Sequence, residues 1–246
     1  MNVLLVLAHP DPASFNVALA ATGKRALQAQ GHEVAVSDLY AMGWKAVADE
    51  HDFAGDRHDS AQFRLDVEQT HAHERGTVAP DIAAEQAKVA AADLLILQFP
   101  LWWFGPPAIL KGWFDRVFSR GFAYLPGRKY DTGMLAGKRA LVSVTTGTSA
   151  DTYASDGIDG ALVDILWPIT NGVLRYTGFE VYEPFATFMP RRMDDDGRTA
   201  ALADFAAAMD SLATRPLLYF HPADHYGDDE RLLPHVEPRS GFQHRG

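Results

Sequence analysis

The loop His9–Asn16 could bind a phosphate group. It reads His-Pro-Asp-Pro-Ala-Ser-Phe-Asn and enters a predicted helix, whose first backbone N–H groups are free and lie at the positive end of the helix dipole. The loop contains no Gly-x-Gly-x-x-Gly pattern, which argues against a standard nicotinamide-binding Rossmann loop. Its Ser14 could donate to a phosphate or serve only as the helix N-cap, and the sequence leaves both interpretations open.

A second loop, Pro100–Pro107, carries three consecutive aromatic residues, Trp102, Trp103 and Phe104. Large rings at the end of a strand form a platform on which a planar ligand can stack. A flavin isoalloxazine, with apolar faces and one polar edge, is such a ligand. Aromatic clusters also occur in cores and interfaces, so the run alone does not decide between these roles.

A third loop supplies small residues, in the order Thr145, Thr146, Gly147 and Thr148. Their backbone N–H groups could meet the pyrimidine edge of a flavin, where negative charge accumulates on reduction. The same residues are also typical of an ordinary turn, and both interpretations stay open.

All three loops follow predicted strands of one parallel sheet. Short apolar runs alternate with segments of helical spacing, which predicts an α/β fold with a doubly wound, five-stranded parallel sheet. Ligands bind such sheets outside the carboxyl ends of the strands, where these loops lie. The predicted strands are Asn2–Ala8, Glu33–Leu39, Asp93–Phe99, Arg139–Thr145 and Phe179–Pro184. The predicted helices are Ser14–Gln30 with Gly31 as its left-handed cap, one opened by Pro106 and Pro107, Ile158–Leu174 and Arg198–Leu212.

Two polar segments lack this order. Met42–Thr77 predicts a long insertion, which in a compact fold is usually functional or a packing arm. The chain from Pro216 onward predicts an irregular tail. We therefore divide the chain into a catalytic domain over 1–215 and a C-terminal extension over 216–246, packed on the domain or partly flexible. The tail histidines are irregularly spaced and predict no metal site: His221, His225, His235 and His244.

Composition excludes several classes of protein. The chain has 47% hydrophobic and 22% charged residues, as globular proteins do. A formal charge of −10 and a pI near 5.4 leave no basic surface for nucleic acid. No segment approaches the roughly 20 apolar residues of a membrane span, and there are no cysteines, so we expect a cytoplasmic protein.

Beyond these patterns, the sequence resembles the NAD(P)H:quinone oxidoreductases of the DT-diaphorase type over roughly residues 2–220. The central block QFPLWWFGPPAILKGWFDRVF, from Gln98, is highly specific. The other matching segments are LAHPDPASFN, SDLYAM, PDIAAEQ, GFAY, TTGTSADTY, ILWPI and PLLYF. The resemblance implies a flavodoxin-like fold and a homodimer with shared active sites.

The resemblance also implies tightly bound FAD, with FMN a weaker candidate. NADPH or NADH would reduce the flavin and leave before a quinone takes the hydride in the same pocket, a ping-pong exchange. The implied catalytic residues are Tyr153 and Gly147. Residues implied to line the phosphates and the adjacent flavin chain are His9, Phe15, Asn16 and Ala18. Residues implied to hold the ring or its polar edge are Pro100, Leu101, Trp102, Trp103, Phe104, Thr145, Thr146, Gly147, Thr148 and Tyr153.

Other positions concern the adenine and the acceptor. Arg198 and Leu202 match residues that reach the adenine half, which favours FAD. Tyr124 matches a pocket-wall tyrosine that receives quinone from the facing subunit, and Tyr176 stands where the family has a phenylalanine over the ring. The implied acceptor-binding residues are Trp103, Phe104, Tyr124 and Tyr176.

Two positions depart from the family. Arg64 replaces a glutamine that often contacts FAD from the partner subunit. Asp159 replaces the histidine of a proposed tyrosine–histidine relay with Tyr153. An imidazole could offset the charge growing on the reduced flavin, whereas an ionised aspartate would oppose it. Asp159 could instead be a helix N-terminal residue that suits the macrodipole.

We expect a quinone reductase, because the aromatic loop, the Thr-Thr-Gly loop and Tyr153 occur together. A reductase of azo or nitroaromatic compounds is an alternative. So is a flavin-binding electron carrier or regulatory subunit, because this fold hosts both. A purely structural dimer fits less well, because exposed tryptophans beside glycine-rich turns would be a liability without a ligand.

Overall fold

A central parallel sheet organises the chain in a computed structural model that describes residues 1–239 of the 246. The strand order is β2-β1-β3-β4-β5, and β6 also pairs with β4. All of these pairs are parallel, which confirms the predicted α/β class. The strands are β1 Asn2–Leu7, β2 Glu33–Asp38, β3 Leu94–Pro100, β4 Arg139–Thr146, β5 Glu180–Val181 and β6 Phe185–Phe188.

The predicted fifth strand is wrong in one respect, because it is two strands. β5 pairs with the start of β4, at Arg139 and Ala140, whereas β6 pairs with its end, from Ser143 to Thr146. Pro184 lies between the two strands, and a proline has no N–H to donate to a ladder. The interruption therefore falls where the backbone cannot continue the pairing.

Helices lie between the strands, in part where the sequence predicts them. They are α1 Phe15–Ala29, α2 Leu65–Arg75, α3 Pro80–Ala91, α4 Ala108–Val117, α5 Leu162–Ile165, α6 Trp167–Ile169 and α7 Asp195–Asp210. The predicted α1 and α4 are confirmed, and Gly31 has the expected positive φ of 81°. The insertion is more ordered than predicted, because α2 lies within it.

The single helix predicted over Ile158–Leu174 is wrong. The chain forms α5 and α6 and then a π-helical segment, Thr170–Arg175. Pro168 lies in the middle of this stretch, where its missing N–H and its ring prevent a continuous α-helix. Asp159 lies before α5, whose N-cap is Ala161, so Asp159 is not a helix cap.

Apolar side chains are buried on both faces of the sheet. On β1, Leu4 and Val6 belong to one core cluster, and Val3, Leu5 and Leu7 belong to the other. Burial on both faces explains why β1, β3 and β4 read as largely continuous apolar runs, whereas the edge strand β2 is partly exposed. It also fixes the positions of the loops that follow them.

The insertion is attached to α4 through a buried ion pair. The guanidinium of Arg116 lies 3.0 Å from the Asp52 carboxylate and 2.9 Å from that of Asp81. Lys45 also donates to Asp52, at 2.9 Å, and Arg116 lies over the ring of Trp44 at 4.5 Å. These contacts make this part of the insertion a packing arm.

The described part of the tail packs on the domain. The N–H of Leu218 donates to the carbonyl of Val181, and that of Glu183 donates to Pro216, so the tail pairs with the β5 region in antiparallel fashion. A 2.6 Å ion pair between Glu230 and Lys129 attaches another part of the tail to the segment between α4 and β4. His244, at the far end of the tail, lies outside the described residues. None of the helices described within 1–239 has the length and apolarity needed to cross a bilayer.

Candidate active site at the carboxyl edge of the sheet

The first loop presents a helix N-terminus. The hydroxyl of Ser14 accepts from the N–H of Val17 at 3.3 Å, so the N-cap interpretation of Ser14 is confirmed. The N–H groups of Phe15 and Asn16 begin the helix and have no partner within it. His9 is oriented by the N–H of Asp11, which donates to its Nδ1 at 3.0 Å. The loop can therefore offer two backbone donors to a phosphate.

The Asn16 side chain stabilises this loop through hydrogen bonds to neighbouring strands. It is buried, its Oδ1 accepts from Nε2 of Gln98 at 2.9 Å, and its Nδ2 donates to Oγ1 of Thr145 at 2.9 Å. This chain of hydrogen bonds links α1, β3 and β4. Sequence reasoning did not single out Gln98 as its partner. With its side chain engaged in these bonds, Asn16 would contact a phosphate through its backbone N–H.

The second loop is a tight turn with exposed aromatic rings. Trp102 and Gly105 exchange two backbone hydrogen bonds of 3.0 Å each. Between them, Trp103 and Phe104 have positive φ values of 51° and 58°. This is the backbone of a type I′ turn, whose usual residues are asparagine and glycine. A left-handed conformation costs a bulky residue about 1–2 kcal/mol.

The side chains of this strained turn are exposed in the single chain. Trp102, Trp103 and Phe104 are 41%, 98% and 52% exposed. No described residue accepts from the backbone N–H of Trp103 or Phe104. Strained backbone of this kind is characteristic of ligand sites. The turn thus displays rings and free N–H groups together.

The third loop lies beside the second. Leu101 donates its N–H to the carbonyl of Thr145 at 2.8 Å, and Pro100 pairs with Thr145 in the ladder. Thr145 and Thr146 are buried, whereas Gly147 and Thr148 are exposed. No described residue accepts from the N–H groups of Gly147 and Thr148. Space is open where a side chain on Gly147 would lie. The two loops together frame a place for a flat ligand with a polar edge.

Tyr153 follows this loop in a short 3-10 turn. Its ring lies 6.1 Å from that of Phe188, at the carboxyl end of β6. The Thr152 hydroxyl donates to Oγ1 of Thr148 at 2.9 Å, and the N–H of Asp159 donates to the carbonyl of Thr152 at 2.9 Å. This last bond holds the backbone of Asp159 against Thr152, the residue that precedes Tyr153. The Asp159 carboxylate has no hydrogen-bond or ion-pair partner in the described structure.

The tyrosines predicted to bind the acceptor lie elsewhere in the chain. The rings of Tyr124 and Tyr176 are 5.6 Å apart. Tyr124 follows α4, and Tyr176 precedes β5, so both lie toward the amino edge of the sheet. No described hydrogen bond or ring contact joins them to the aromatic turn Trp102–Gly105. One chain alone therefore divides the predicted acceptor residues between two places.

Sequence reasoning missed a third tyrosine, Tyr130, whose ring lies 5.3 Å from that of Tyr176. Burial raises the pKa of both Tyr124 and Tyr130 above the ordinary value for a phenol. Both hydroxyls therefore stay protonated at neutral pH. The only sequence signal for Tyr130 was its place in a glycine-containing loop shortly after Tyr124.

The adenine-contact candidates lie on α7. Nε of Arg198 donates to the carbonyl of Pro190 at 3.4 Å, and the side chain is about half exposed, at 45%. Leu202 packs against the core one turn later. Arg64 is exposed at the N-terminus of α2. Within residues 1–239, no group of three or more histidine and acidic side chains is arranged to hold a metal.

Comparisons with known proteins agree with this geometry. A family model described as flavodoxin-like fold matches residues 1–212. The chain is 43% identical over 222 residues to NAD(P)H dehydrogenase [quinone] 1 of Rattus norvegicus, covering 90% of this chain and 81% of the rat protein. It is 43% identical over 212 residues to human ribosyldihydronicotinamide dehydrogenase [quinone], covering 86% of this chain and 91% of the human protein.

A solved structure gives the same result. A Klebsiella pneumoniae protein, provisionally named a quinone reductase, superposes with a TM-score of 0.93 at 41% identity and covers 98% of both chains. Coverage on this scale includes all three loops and the described tail. By sequence and by fold, the chain belongs to the NAD(P)H:quinone oxidoreductase family, whose members are oxidoreductase enzymes of flavodoxin-like fold.

Proposed function

We propose that this protein reduces quinones with NAD(P)H by means of bound FAD, in a ping-pong exchange at one pocket. The observation that carries the proposal is the turn Trp102–Gly105, which exposes aromatic rings and free N–H groups beside Gly147. Backbone strain in an otherwise well-packed fold fits a ligand site better than a structural turn. The named activities of the rat and human relatives supply the substrate class.

The residues of the site suit the parts of a flavin dinucleotide. The rings of Trp103 and Phe104 offer stacking surface, and the N–H groups of Gly147 and Thr148 suit its polar edge. The N–H groups at the start of α1 suit its phosphates. When bound, the flavin would accept two electrons from NAD(P)H and pass them to the acceptor. The Tyr153 hydroxyl would donate a hydrogen bond to this polar edge.

FAD is favoured over FMN by Arg198 and Leu202. The half-exposed guanidinium and the neighbouring apolar side chain lie on α7, beyond the phosphate loop. Together they offer an adenine a cationic partner and an apolar surface. FMN would leave both unused.

A homodimer would complete the site. The aromatic turn lies at the carboxyl edge of the sheet, whereas Tyr124 and Tyr176 lie toward the amino edge. A second copy could bring its tyrosines over the turn of the first. Burying Trp103, which is 98% exposed, and Ile158, which is 93% exposed, would add apolar area to such an interface. A contact of Arg64 with FAD, which the sequence leaves open, would also require this partner.

The experiment is purification followed by a matrix of donors and acceptors. We expect a yellow protein that releases FAD and oxidises NADPH or NADH rapidly with small quinones. Dihydronicotinamide riboside extends the donor set because of the human relative's name. Azo dyes and nitroaromatics test the alternative acceptors, and slow turnover with a tightly bound protein would support an electron carrier. Absence of flavin, or a flavin that none of the donors reduces, would contradict the proposal. A cytoplasmic location stays a prediction, tested by cell fractionation.

A further inference from the structure

Three tyrosine rings form a row outside the aromatic turn. Tyr176 lies between the other two, with its ring centre 5.6 Å from Tyr124 and 5.3 Å from Tyr130. The interplanar angles of 66° and 80° are those of edge-to-face pairs. All three side chains are half-buried in the single chain. The row therefore presents a continuous aromatic wall.

The backbone at Tyr130 is held in an unusual conformation. Its φ is 53°, in the left-handed region that disfavours bulky side chains. The neighbours on both sides are tied to other segments. Lys129 pairs with Glu230 of the tail at 2.6 Å, and Asp131 pairs with Arg175 and accepts from the N–H of Ala223.

These contacts come from the tail and from the segment before Tyr176, so they fix Tyr130 relative to the tyrosine row. Strain that the surrounding contacts maintain points to a constraint on where the ring must lie. At this position the ring of Tyr130 contacts the ring of Tyr176.

The hydroxyls of the row are unused within the chain. No described residue forms a hydrogen bond with the hydroxyl of Tyr124, Tyr130 or Tyr176. Burial raises the pKa of Tyr124 and Tyr130, so both remain hydrogen-bond donors at neutral pH. A phenol O–H beside an aromatic wall is suited to an acceptor with a planar ring and a carbonyl oxygen.

We propose that Tyr130 is a third acceptor-binding residue, which donates a hydrogen bond to a carbonyl oxygen of the quinone while its ring extends the wall formed by Tyr124 and Tyr176. This inference rests on the proposed quinone reductase function and on its dimer. It makes Tyr130 a determinant of specificity for ring-bearing carbonyl acceptors. Acceptors without carbonyl groups would not depend on it.

The test compares Tyr130→Phe with wild type and with Tyr40→Phe, a matched control. Tyr40 is also half-buried but follows β2, at the opposite edge strand of the sheet. A naphthoquinone and ferricyanide serve as acceptors, and stopped-flow absorbance measures flavin reduction by NADPH. Flavin content and size-exclusion chromatography show that each variant is loaded and assembled.

We expect Tyr130→Phe to lower kcat/KM for the naphthoquinone about fivefold, the loss typical of one hydrogen bond. Turnover with ferricyanide and the rate of flavin reduction should change less than twofold, and Tyr40→Phe should match wild type throughout. An unchanged kcat/KM for the quinone in Tyr130→Phe would overturn the role of Tyr130. So would an equal loss with both acceptors. Absence of quinone turnover in the wild-type protein would instead refute the proposed function itself.

Discussion

The Nδ1 atoms of His221 and His225 lie 3.0 Å apart in the tail. The N–H of Arg239 donates to Nε2 of His221 at 3.0 Å, so this nitrogen carries no proton. The proton of His221 must then lie on Nδ1 and be donated to His225. Adding one proton to the pair would break the bond to Arg239 or bring two N–H groups face to face. The cluster accommodates only the neutral pair.

This pair makes the attachment of the tail dependent on pH. Burial, followed by His225 and Arg239, lowers the pKa of His221 below its ordinary value. The unfolded chain therefore binds a proton before the folded chain does, as pH falls through the ordinary value. Stability is then complete above that value and declines below it. The rings of Tyr219 and Tyr226 also contact His221.

We expect trypsin to cleave within the tail faster at pH 5.5 than at pH 7.5, after correction for the activity of the protease on an unstructured peptide. His221→Gln should reduce the dependence, because its side chain does not titrate in this range. A wild-type cleavage rate that is the same at both pH values would contradict the tautomer assignment.

Gly147→Ala should lower flavin retention without lowering stability. The glycine has no positive φ, and an added methyl group would meet no described atom within 4 Å. The methyl group would instead occupy the space proposed for the flavin edge. We expect at least tenfold weaker flavin binding at an unchanged Tm of the apoprotein. Gly172→Ala is the matched control, since its added methyl group also meets open space. Equal flavin affinity in Gly147→Ala and wild type would move the ligand away from this loop.

Arg198→Ala should weaken FAD binding more than it slows flavin reduction. Among residues 1–239, the guanidinium makes one long hydrogen bond, at 3.4 Å, and a 3.8 Å ion pair with Asp195, so its removal should not unfold α7. Titration of the apoprotein with FAD and with FMN measures both affinities. We expect the loss for FAD alone, by about tenfold, and Arg191→Ala is the exposed control. An apoprotein that binds FMN as tightly as FAD would count against FAD as the preferred cofactor.

Tyr153→Phe should slow flavin reduction by about tenfold, the effect expected from losing one charge-assisted hydrogen bond. Asp159→Asn should change the rate less than twofold, because a carboxylate is a poor proton shuttle at neutral pH. Asp159→His restores the family residue and should not slow reduction. Stopped-flow absorbance with NADPH measures all three variants. A large loss in Asp159→Asn, at full flavin content, would show that Asp159 is catalytic.

Asp52→Asn should destabilise the fold more than Asp81→Asn. Both carboxylates pair with Arg116, but the side chain of Asp52 is 3% exposed and that of Asp81 is 46% exposed. Removing the buried partner leaves a buried guanidinium poorly compensated, at a cost of about 3 kcal/mol, whereas an exposed pair contributes about 1 kcal/mol or less. Urea denaturation followed by circular dichroism measures both. Equal losses would show that Asp52 is not the main partner of Arg116.

Sequence patterns predict the first four strands well. For β1, β3 and β4, burial on both faces imposes short, continuous apolar runs that differ from the spacing of an amphipathic helix. They fail over Ile158–Leu174, where apolar spacing continues through Pro168 but α-helical hydrogen bonding does not. They also miss α3, whose many alanines give it little apolar contrast.

The geometry of the candidate site could also be predicted only in part from the sequence. Topology predicts that the three loops adjoin. The 2.8 Å bond from Leu101 to Thr145 confirms it for the second and third loops, and the 6.2 Å separation of the His9 and Trp102 rings confirms it for the first. The left-handed backbone at Trp103 and Phe104 could not be predicted, because residue preferences oppose it. Nor could the link from Gln98 through Asn16 to Thr145, which depends on the relative placement of three elements.

The pairing of the tail with β5 has a consequence for self-association. β5 is the last strand in the sheet order, and such an edge strand offers unpaired backbone groups to any neighbouring chain. The N–H of Leu218 already occupies the carbonyl of Val181, and the N–H of Glu183 is occupied by Pro216. The tail thus acts as a protective cover against edge-to-edge aggregation. A chain that ended before Pro216 would retain every proposed flavin contact, yet it would expose the backbone N–H and C=O groups of this edge strand to neighbouring chains.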